Sequence, residues 1–192
     1  MTAGVIVDPE AVDLLKSLGV DDSKKITDAK IPSMAVEIRK ICYGKYKVLQ
    51  INPVKYNELY GKMKNLNVLL AWTHAAVIED LLEKQDVKLA IADKFGDEKY
   101  INDKLKIKGK GIHLIQVPKA EQNIAVAAAS VLARDALLKW SNGAKKTYGF
   151  TLPRGASFLV IQAGKTYVKE HGKEALANVA KLHFKTTEDV FQ

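Results

Sequence analysis

The chain has 192 residues, 47% of them hydrophobic, which is enough for one domain with a substantial core. Its formal charge of +8 and pI of about 9.4 suit a polyanionic partner without requiring one. The single cysteine, Cys42, excludes an internal disulfide framework and fits a reduced, cytoplasmic setting. The longest near-apolar stretch, about Ile124 to Leu138, is broken by Ser130, Arg134 and Asp135 and is too short and polar to span a bilayer. The opening residues have no basic region followed by a long apolar run, so they do not read as a signal peptide.

In chain order, Ala3 to Val7 is β-prone. Pro9 precedes a short helix that ends near Gly19. Asp22-Ser23-Lys24-Lys25 is a polar loop. Thr27 is placed to cap a helix from Asp28 to about Cys42, with Pro32 in its first turns. Lys47 to Ile51 reads as a strand, and Asn52 or Pro53 opens a helix through Leu59. A long helix then runs to about Lys84, with Leu66, Leu70, Val77 and Leu81 at helical spacing. Its apolar surface is wide enough to predict deep packing against a sheet. Val87 to Ala92 and Ile112 to Val117 are further strands, and the glycines of Lys108-Gly109-Lys110-Gly111 read as a hairpin-like turn. An alanine-rich helix follows from Ile124 to about Trp140. Ser157 to Glu170 and Lys173 to Leu182 are expected to close the chain as helices. Strands alternating with helices predict an α/β fold, a mixed sheet flanked by helices, with all four strands in one sheet.

Two carboxylates stand at places where chemistry gathers. Asp93 follows a strand, where α/β sheets collect ligands, and a carboxylate there suits a hard cation. A turn-forming aspartate explains it equally well. Glu121 lies between a strand and a helix start, where capping alone would account for it. The helix after it begins Ala125-Val126-Ala127-Ala128-Ala129-Ser130, a flat surface that suits tight packing or the approach of a substrate. His74 reads as a hydrogen-bonded core or boundary residue, and no histidine pair has metal-ligand spacing. Lysines 99, 104, 106, 108, 110 and 119 form a basic segment opposed by Asp103. Lys24-Lys25 and Lys145-Lys146 are smaller basic spots. Each is either a solvated face or a track for phosphates.

Several segments together resemble the ribonuclease HII/HIII family. Asp22-Ser23-Lys24-Lys25-Ile26 is similar to its D-S-K-K-L loop, and Leu70-Ala71-Trp72-Thr73-His74 to an L-A-W-x-H helix of the HIII branch. Ile91-Ala92-Asp93-Lys94-Phe95 is similar to an I-D-x-F segment. Ala120-Glu121 with Ile124 to Ser130 is similar to A-E-x(3)-I-A-V-A-A-A-S. Leu152-Pro153-Arg154-Gly155-Ala156 and Val179 to Phe184 resemble the closing segments. Glutamate at position 121 favours the HIII branch.

The resemblance implies a ribonuclease H-like fold over residues 1–192. It also implies hydrolysis of the RNA strand of RNA/DNA hybrids with Mg²⁺ or Mn²⁺, in a cytoplasmic, monomeric protein with no membrane association. It assigns Asp93 and Glu121 as catalytic and metal-binding residues, the third and fourth of four carboxylates. Ser23, Lys24, Lys25 and Ser130 are assigned to substrate. The first two carboxylates of the family sit in a D-E-V-G-T-G-D-like strand with no counterpart here, since Met1 to Glu10 resembles the family's second strand. The expectation is a sheet without its first strand and impaired cleavage. Asp8 and Glu10 are not read as replacements, because they lie at the far end of that strand. A catalytically inactive nucleic-acid-binding homologue and a non-functional fragment stay open as alternatives.

Overall fold

A computed structural model describes residues 1–149 and 153–192, so Leu152 of the closing motif lies outside the described residues. The chain divides into two compact units. One comprises residues 1–50 and 67–137, the other residues 51–66 and 138–192.

The first unit begins with strand β1 (Thr2–Val5) and helix α1 (Pro9–Ser17). Asp8 caps α1, accepting from the Ala11 N–H at 2.9 Å, and Pro9 supplies the preset first turn. The helix yields to Gly19 at φ 74°, a left-handed position that glycine adopts without strain. Helix α2 (Ile31–Ile41) starts later than Thr27 predicted, because residues 27–30 form a separate turn closed by Lys30 N–H on the Thr27 carbonyl at 3.0 Å. Strand β2 (Tyr46–Leu49) pairs antiparallel with β1, Thr2 opposite Leu49.

In the second unit, α3 (Pro53–Met63) is capped by Asn52 and ends at Lys64 in a left-handed conformation. Helix α4 (Leu66–Leu82) leads back to the first unit and, as its sequence predicts, is apolar around most of its circumference. It buries Ala71 and Ala75 with Ala92, and Val77 and Leu81 with Ile6. Strand β3 (Leu89–Asp93), short helices α5 (Lys99–Asn102) and α6 (Ile107–Lys110), and strand β4 (His113–Val117) follow. Strands β3 and β4 pair in parallel, so Lys108 to Gly111 is no hairpin turn but part of a crossover. Glu79 holds it: one carboxylate oxygen accepts from the N–H groups of Lys106 (2.6 Å) and Gly109 (3.1 Å). A Cβ on Gly109 would stand 2.5 Å from that oxygen. A side chain at 109 would oblige the Glu79 carboxylate and the Leu105 side chain to shift.

The expected single sheet is corrected. Among the described residues two two-stranded sheets form, β1 with β2 and β3 with β4, and no ladder joins β1 to β3. The physical sign is burial: β1 is only half-buried along its length, and Ala90 and Ile91 are likewise half-buried.

A 3-10 turn (Ala120–Gln122) leads into α7 (Ile124–Tyr148). This helix continues past Trp140, its expected end, and through Gly143, and stops at Gly149, φ 67°. An internal glycine costs only about 1 kcal/mol, which a 25-residue helix with Ala144 buried tolerates. Then come α8 (Phe158–His171), a 3-10 turn (Glu174–Asn178) and α9 (Thr186–Phe191). The helix expected over Lys173 to Leu182 is therefore reduced to a short turn. Asn57 explains why: its side-chain amide donates to the Ala177 and Ala180 carbonyls (3.2 and 2.9 Å) and accepts from the Leu182 N–H (3.0 Å), taking the place of helical partners. Beside it the His183 ring stacks on Tyr56 and Tyr60 and meets Phe184 at a tilt. Burial and the Lys181 charge hold the His183 imidazole below its ordinary pKa.

Candidate active site

Parallel pairing of β3 with β4 makes the two strands end together, Asp93 opposite Val117. The Lys94 N–H closes the ladder on the Val117 carbonyl at 3.0 Å. Lys119 then adopts φ 55°, a left-handed turn uncommon outside glycine and asparagine, and reverses the chain. The reversal brings the Ala120 N–H to 3.3 Å from Asp93 Oδ1. Glu121 is the next residue, and its side chain is half-buried. The capping role that would have explained Glu121 belongs to Asn123, whose side chain accepts from the Ala125 N–H at 3.0 Å. Among the described residues, no hydrogen bond or ion pair engages the Glu121 carboxylate. Asp93, which is exposed, uses one oxygen in one long backbone contact.

His74, read from sequence as a core or boundary residue, borders the same cavity as Asp93. Its Nδ1 lies 2.8 Å from the Leu70 carbonyl and its ring 5.1 Å from Phe95. Burial pushes the imidazole pKa down, opposed by the Leu70 carbonyl and by the negative charge of Asp93. Among the described residues no three histidine, cysteine or acidic side chains gather as a metal site. Asp93 and Glu121 carry hard oxygen donors of the kind a divalent cation takes.

Two acids near the start of the chain, Asp8 and Asp21, are committed. Asp8 caps α1 with one oxygen and meets Lys45 at 2.6 Å with the other, and Lys45 is the main cause of its lowered pKa. Asp21 accepts from the Asp22 N–H at 2.6 Å, the main cause of its own lowered pKa, and pairs with Lys25 at 3.1 Å. Glu10 lies exposed in the first turn of α1.

Of the substrate residues expected from sequence, Lys24 and Lys25 are exposed on the loop after Val20, while Ser23 is buried. The loop is tied to α7 by Arg134, which sequence reading overlooked. Its guanidinium donates to the Ser23 carbonyl and pairs with Asp28 at 2.7 Å. Ser130 donates to the Ala127 carbonyl at 2.8 Å and borders the same cavity as Asp93 and His74. A further ion pair, Arg39 with the fully buried Asp135 at 2.6 Å, fixes α2 on α7. The exposed lysines at 99, 104, 106, 108, 110 and 119 all fall between β3 and the Ala120 turn, and Lys108 pairs with Glu83 at 2.8 Å.

The family described as Ribonuclease HII matches residues 1–187. The chain is 40% identical over 188 residues to a protein named Ribonuclease HIII from Protochlamydia amoebophila, covering 98% of this chain and 62% of that one. It is 47% identical over 184 residues to a Ribonuclease HIII from Chlamydia pneumoniae, covering 93% and 61%. It therefore spans about three fifths of the length of these curated relatives. Among solved structures, that of Bst-RNase HIII in complex with Mn²⁺ superposes with a TM-score of 0.88 at 27% identity, over 98% of this chain and 63% of that one. No helix among the described residues is long and apolar enough to cross a membrane.

Proposed function

Because this chain belongs to the ribonuclease HII family, we propose that it is the catalytic portion of a ribonuclease HIII-type endonuclease acting on the RNA strand of RNA/DNA hybrids. The observation that supports this reading is the turn that brings the Ala120 N–H, one residue before Glu121, to 3.3 Å from Asp93 Oδ1 at the shared end of β3 and β4, where neither carboxylate is consumed by a cap or an ion pair. The Bst-RNase HIII neighbour carries Mn²⁺. In this chain Asp93 and Glu121 would hold Mg²⁺ or Mn²⁺, which would supply charge neutralisation at phosphorus and a more acidic water. The Lys119 turn presents Glu121 beside Asp93. The α7 N-terminus adds a positive dipole end to the same place. Lys24 and Lys25 would meet phosphates from a loop that Arg134 holds in place. Ser23, buried, would act there through its backbone, and Ser130 would border the substrate from α7. The whole of residues 1–192 is read as one catalytic domain, monomeric and cytoplasmic.

Cleavage by these 192 residues alone is expected to be weak, since two carboxylates position a cation and its water poorly. A second reading, a hybrid-binding protein without cleavage, draws on the same observation that no group of three ligands forms among the described residues. The test is a gel assay on labelled RNA/DNA hybrid with Mg²⁺ or Mn²⁺, beside Mn²⁺ binding followed by water relaxation. Expected are hybrid binding, weak cleavage, and Mn²⁺ binding lost in Asp93→Asn. Binding without any cleavage favours the second reading. Robust cleavage indifferent to Asp93→Asn would move the site elsewhere, and failure to bind hybrid at low salt would end both readings.

A further inference from the structure

The charge of the chain is unevenly divided between its two units. The second unit, residues 51–66 and 138–192, holds twelve of the thirty lysines and arginines but five of the twenty-two acids, a net charge of +7. The first unit, which carries Asp93 and Glu121, is left with +1. Many of its cations are spent within the fold: Lys45, Lys47, Lys94, Lys108 and Arg134 each meet an acid. In the second unit one acid, Glu58, takes both Lys55 and Lys62 at 2.8 Å.

Part of the surplus gathers on one face of α8. At about 100° per residue, Phe158, Gln162, Lys165 and Lys169 fall within an arc of about 60°. All four are exposed, Phe158 at 70%, and its neighbour Leu159 is exposed at 70% as well. Tyr167, half a turn round the helix from Phe158, is buried and meets Tyr148 edge-on at 6.5 Å. On the same buried side Gly164 lies against α9, where a Cβ would stand 2.6 Å from Val190 Cγ2. The helix is fixed from behind, and the stripe in front stays open. Among the described residues no acid pairs with Lys165 or Lys169 and no ring contact engages Phe158. Glu170, off the stripe, faces His171 at 3.8 Å.

The stripe asks for two things of one partner. Lys165 and Lys169 stand about 6 Å apart along the helix axis, close to the step between phosphates of an extended strand, and suit a phosphate backbone. Phe158 offers a ring to whatever can stack on it. A duplex would answer the lysines but keeps its base faces stacked inside. An unpaired strand supplies both phosphates and open base faces.

We infer that α8 carries a contact for single-stranded nucleic acid, in which an unpaired base stacks on Phe158 and neighbouring phosphates lie along Lys165 and Lys169. Leu159 widens the apolar platform, and the Gln162 amide, between ring and lysines, can donate to a base or sugar oxygen. The contact is indifferent to base identity, since every base has a face to stack. It deepens the ribonuclease reading, on which it rests, by naming the form of substrate the second unit favours: a hybrid with an unpaired flank in preference to a blunt one.

The test reads binding and not cleavage, with the full chain in EDTA. Fluorescence anisotropy compares three labelled hybrids that share one paired region: blunt, with an oligothymidylate overhang, and with an abasic overhang of equal charge. The thymidylate overhang is expected to bind about tenfold tighter than the abasic one, the scale of one base–aromatic stack, and tighter still than the blunt hybrid. Phe158→Ala is expected to bring it down to the abasic level, and Phe158→Tyr to keep the gain. Lys165→Gln together with Lys169→Gln should reduce the slope of log K against log salt for the overhang by about 1.4, at roughly 0.7 for each phosphate contact on a single strand. Equal binding of blunt and thymidylate-bearing hybrids would overturn the inference and leave the ribonuclease reading standing, whereas no binding of any hybrid would end both. The inference also fails if the abasic overhang binds as tightly as the thymidylate one, if Phe158→Ala keeps the preference, if the lysine variant keeps the slope, or if the chain self-associates through Phe158 and Leu159 instead.

Discussion

Asp8 and Asp93 both follow short strands, and the fold spends them differently. Asp8 has both oxygens engaged, one on the α1 N-terminus and one on Lys45. Asp93 makes one 3.3 Å contact with the backbone N–H of Ala120, the residue before Glu121, and remains exposed. Antiparallel β1 and β2 deliver their aspartate into a helix start that needs a cap. Parallel β3 and β4 deliver theirs to a common end, where another chain segment arrives with an acid. What a carboxylate can do is set less by its place after a strand than by what its oxygens already hold.

The largest expected effect breaks that comparison at its centre. Asp93→Asn should lower Mn²⁺ affinity by about 10- to 100-fold or more, the range seen when metal-site partners are lost, and should leave the melting temperature within a degree or so. Asp8→Ala should do the reverse, lowering the melting temperature by roughly 2–4 °C through the lost cap without altering Mn²⁺ binding. Calorimetry and water relaxation on both variants check this. If Asp8→Ala removes Mn²⁺ binding, the contrast collapses.

Next in size is the Arg134 tie. Arg134→Gln removes a charge-assisted bond to the Ser23 carbonyl and the pair with Asp28. It should cost on the order of 1–3 kcal/mol, read by urea unfolding. Hydrogen exchange in residues 22–26 should quicken and hybrid affinity should drop, because the loop lysines would no longer be held. Unchanged exchange there would show that the loop is fixed by other means.

Smaller again is the salt response. Hybrid affinity should fall steeply with salt, and Lys24→Ala should reduce the slope of log K against log salt by about 1. Titration at several salt concentrations decides it. A flat response in the parent chain would remove the phosphate-tracking surface altogether.

The smallest concerns pH. His74 and His183 are both held below their ordinary value of 6.5, mainly by burial. The unfolded chain therefore binds more protons than the folded one as pH falls through about 6.5. Stability should be full above that pH and decline towards pH 5.5. His74→Gln should flatten part of the decline. A stability that rises on acidification over this window would contradict the burial of both rings.

Much of this was legible in the amino-acid sequence. Helical spacing marked α4, and its apolar girth announced deep packing. Strand-end and helix-start placement marked Asp93 and Glu121 only as candidates that a turn or a cap explains equally well, and it is the family resemblance that assigns them a role. The segment after Lys173 was not legible, because an asparagine more than a hundred positions earlier takes its helical hydrogen bonds. Arg134 read as a break in an apolar helix, since its partners lie 106 and 111 positions away. The parallel order of β3 and β4 escaped a local reading of Lys108 to Gly111, where two glycines resemble a turn and the deciding group is Glu79 on a distant helix. Pairing between strands is a tertiary property, and the half-burial of β1 and Ile91 has no local signature.

The Glu79 anchor has a consequence for how the basic segment meets a polyanion. With one carboxylate oxygen holding the backbone amides of Lys106 and Gly109, lysines 104, 106, 108 and 110 stand on or beside a turn whose backbone is already fixed. An arriving phosphate chain has only their side-chain rotamers left to order, worth up to about 2 kcal/mol each, and not the loop beneath them. An acid thus strengthens a cationic surface, by removing disorder from beneath it and not by adding charge to it.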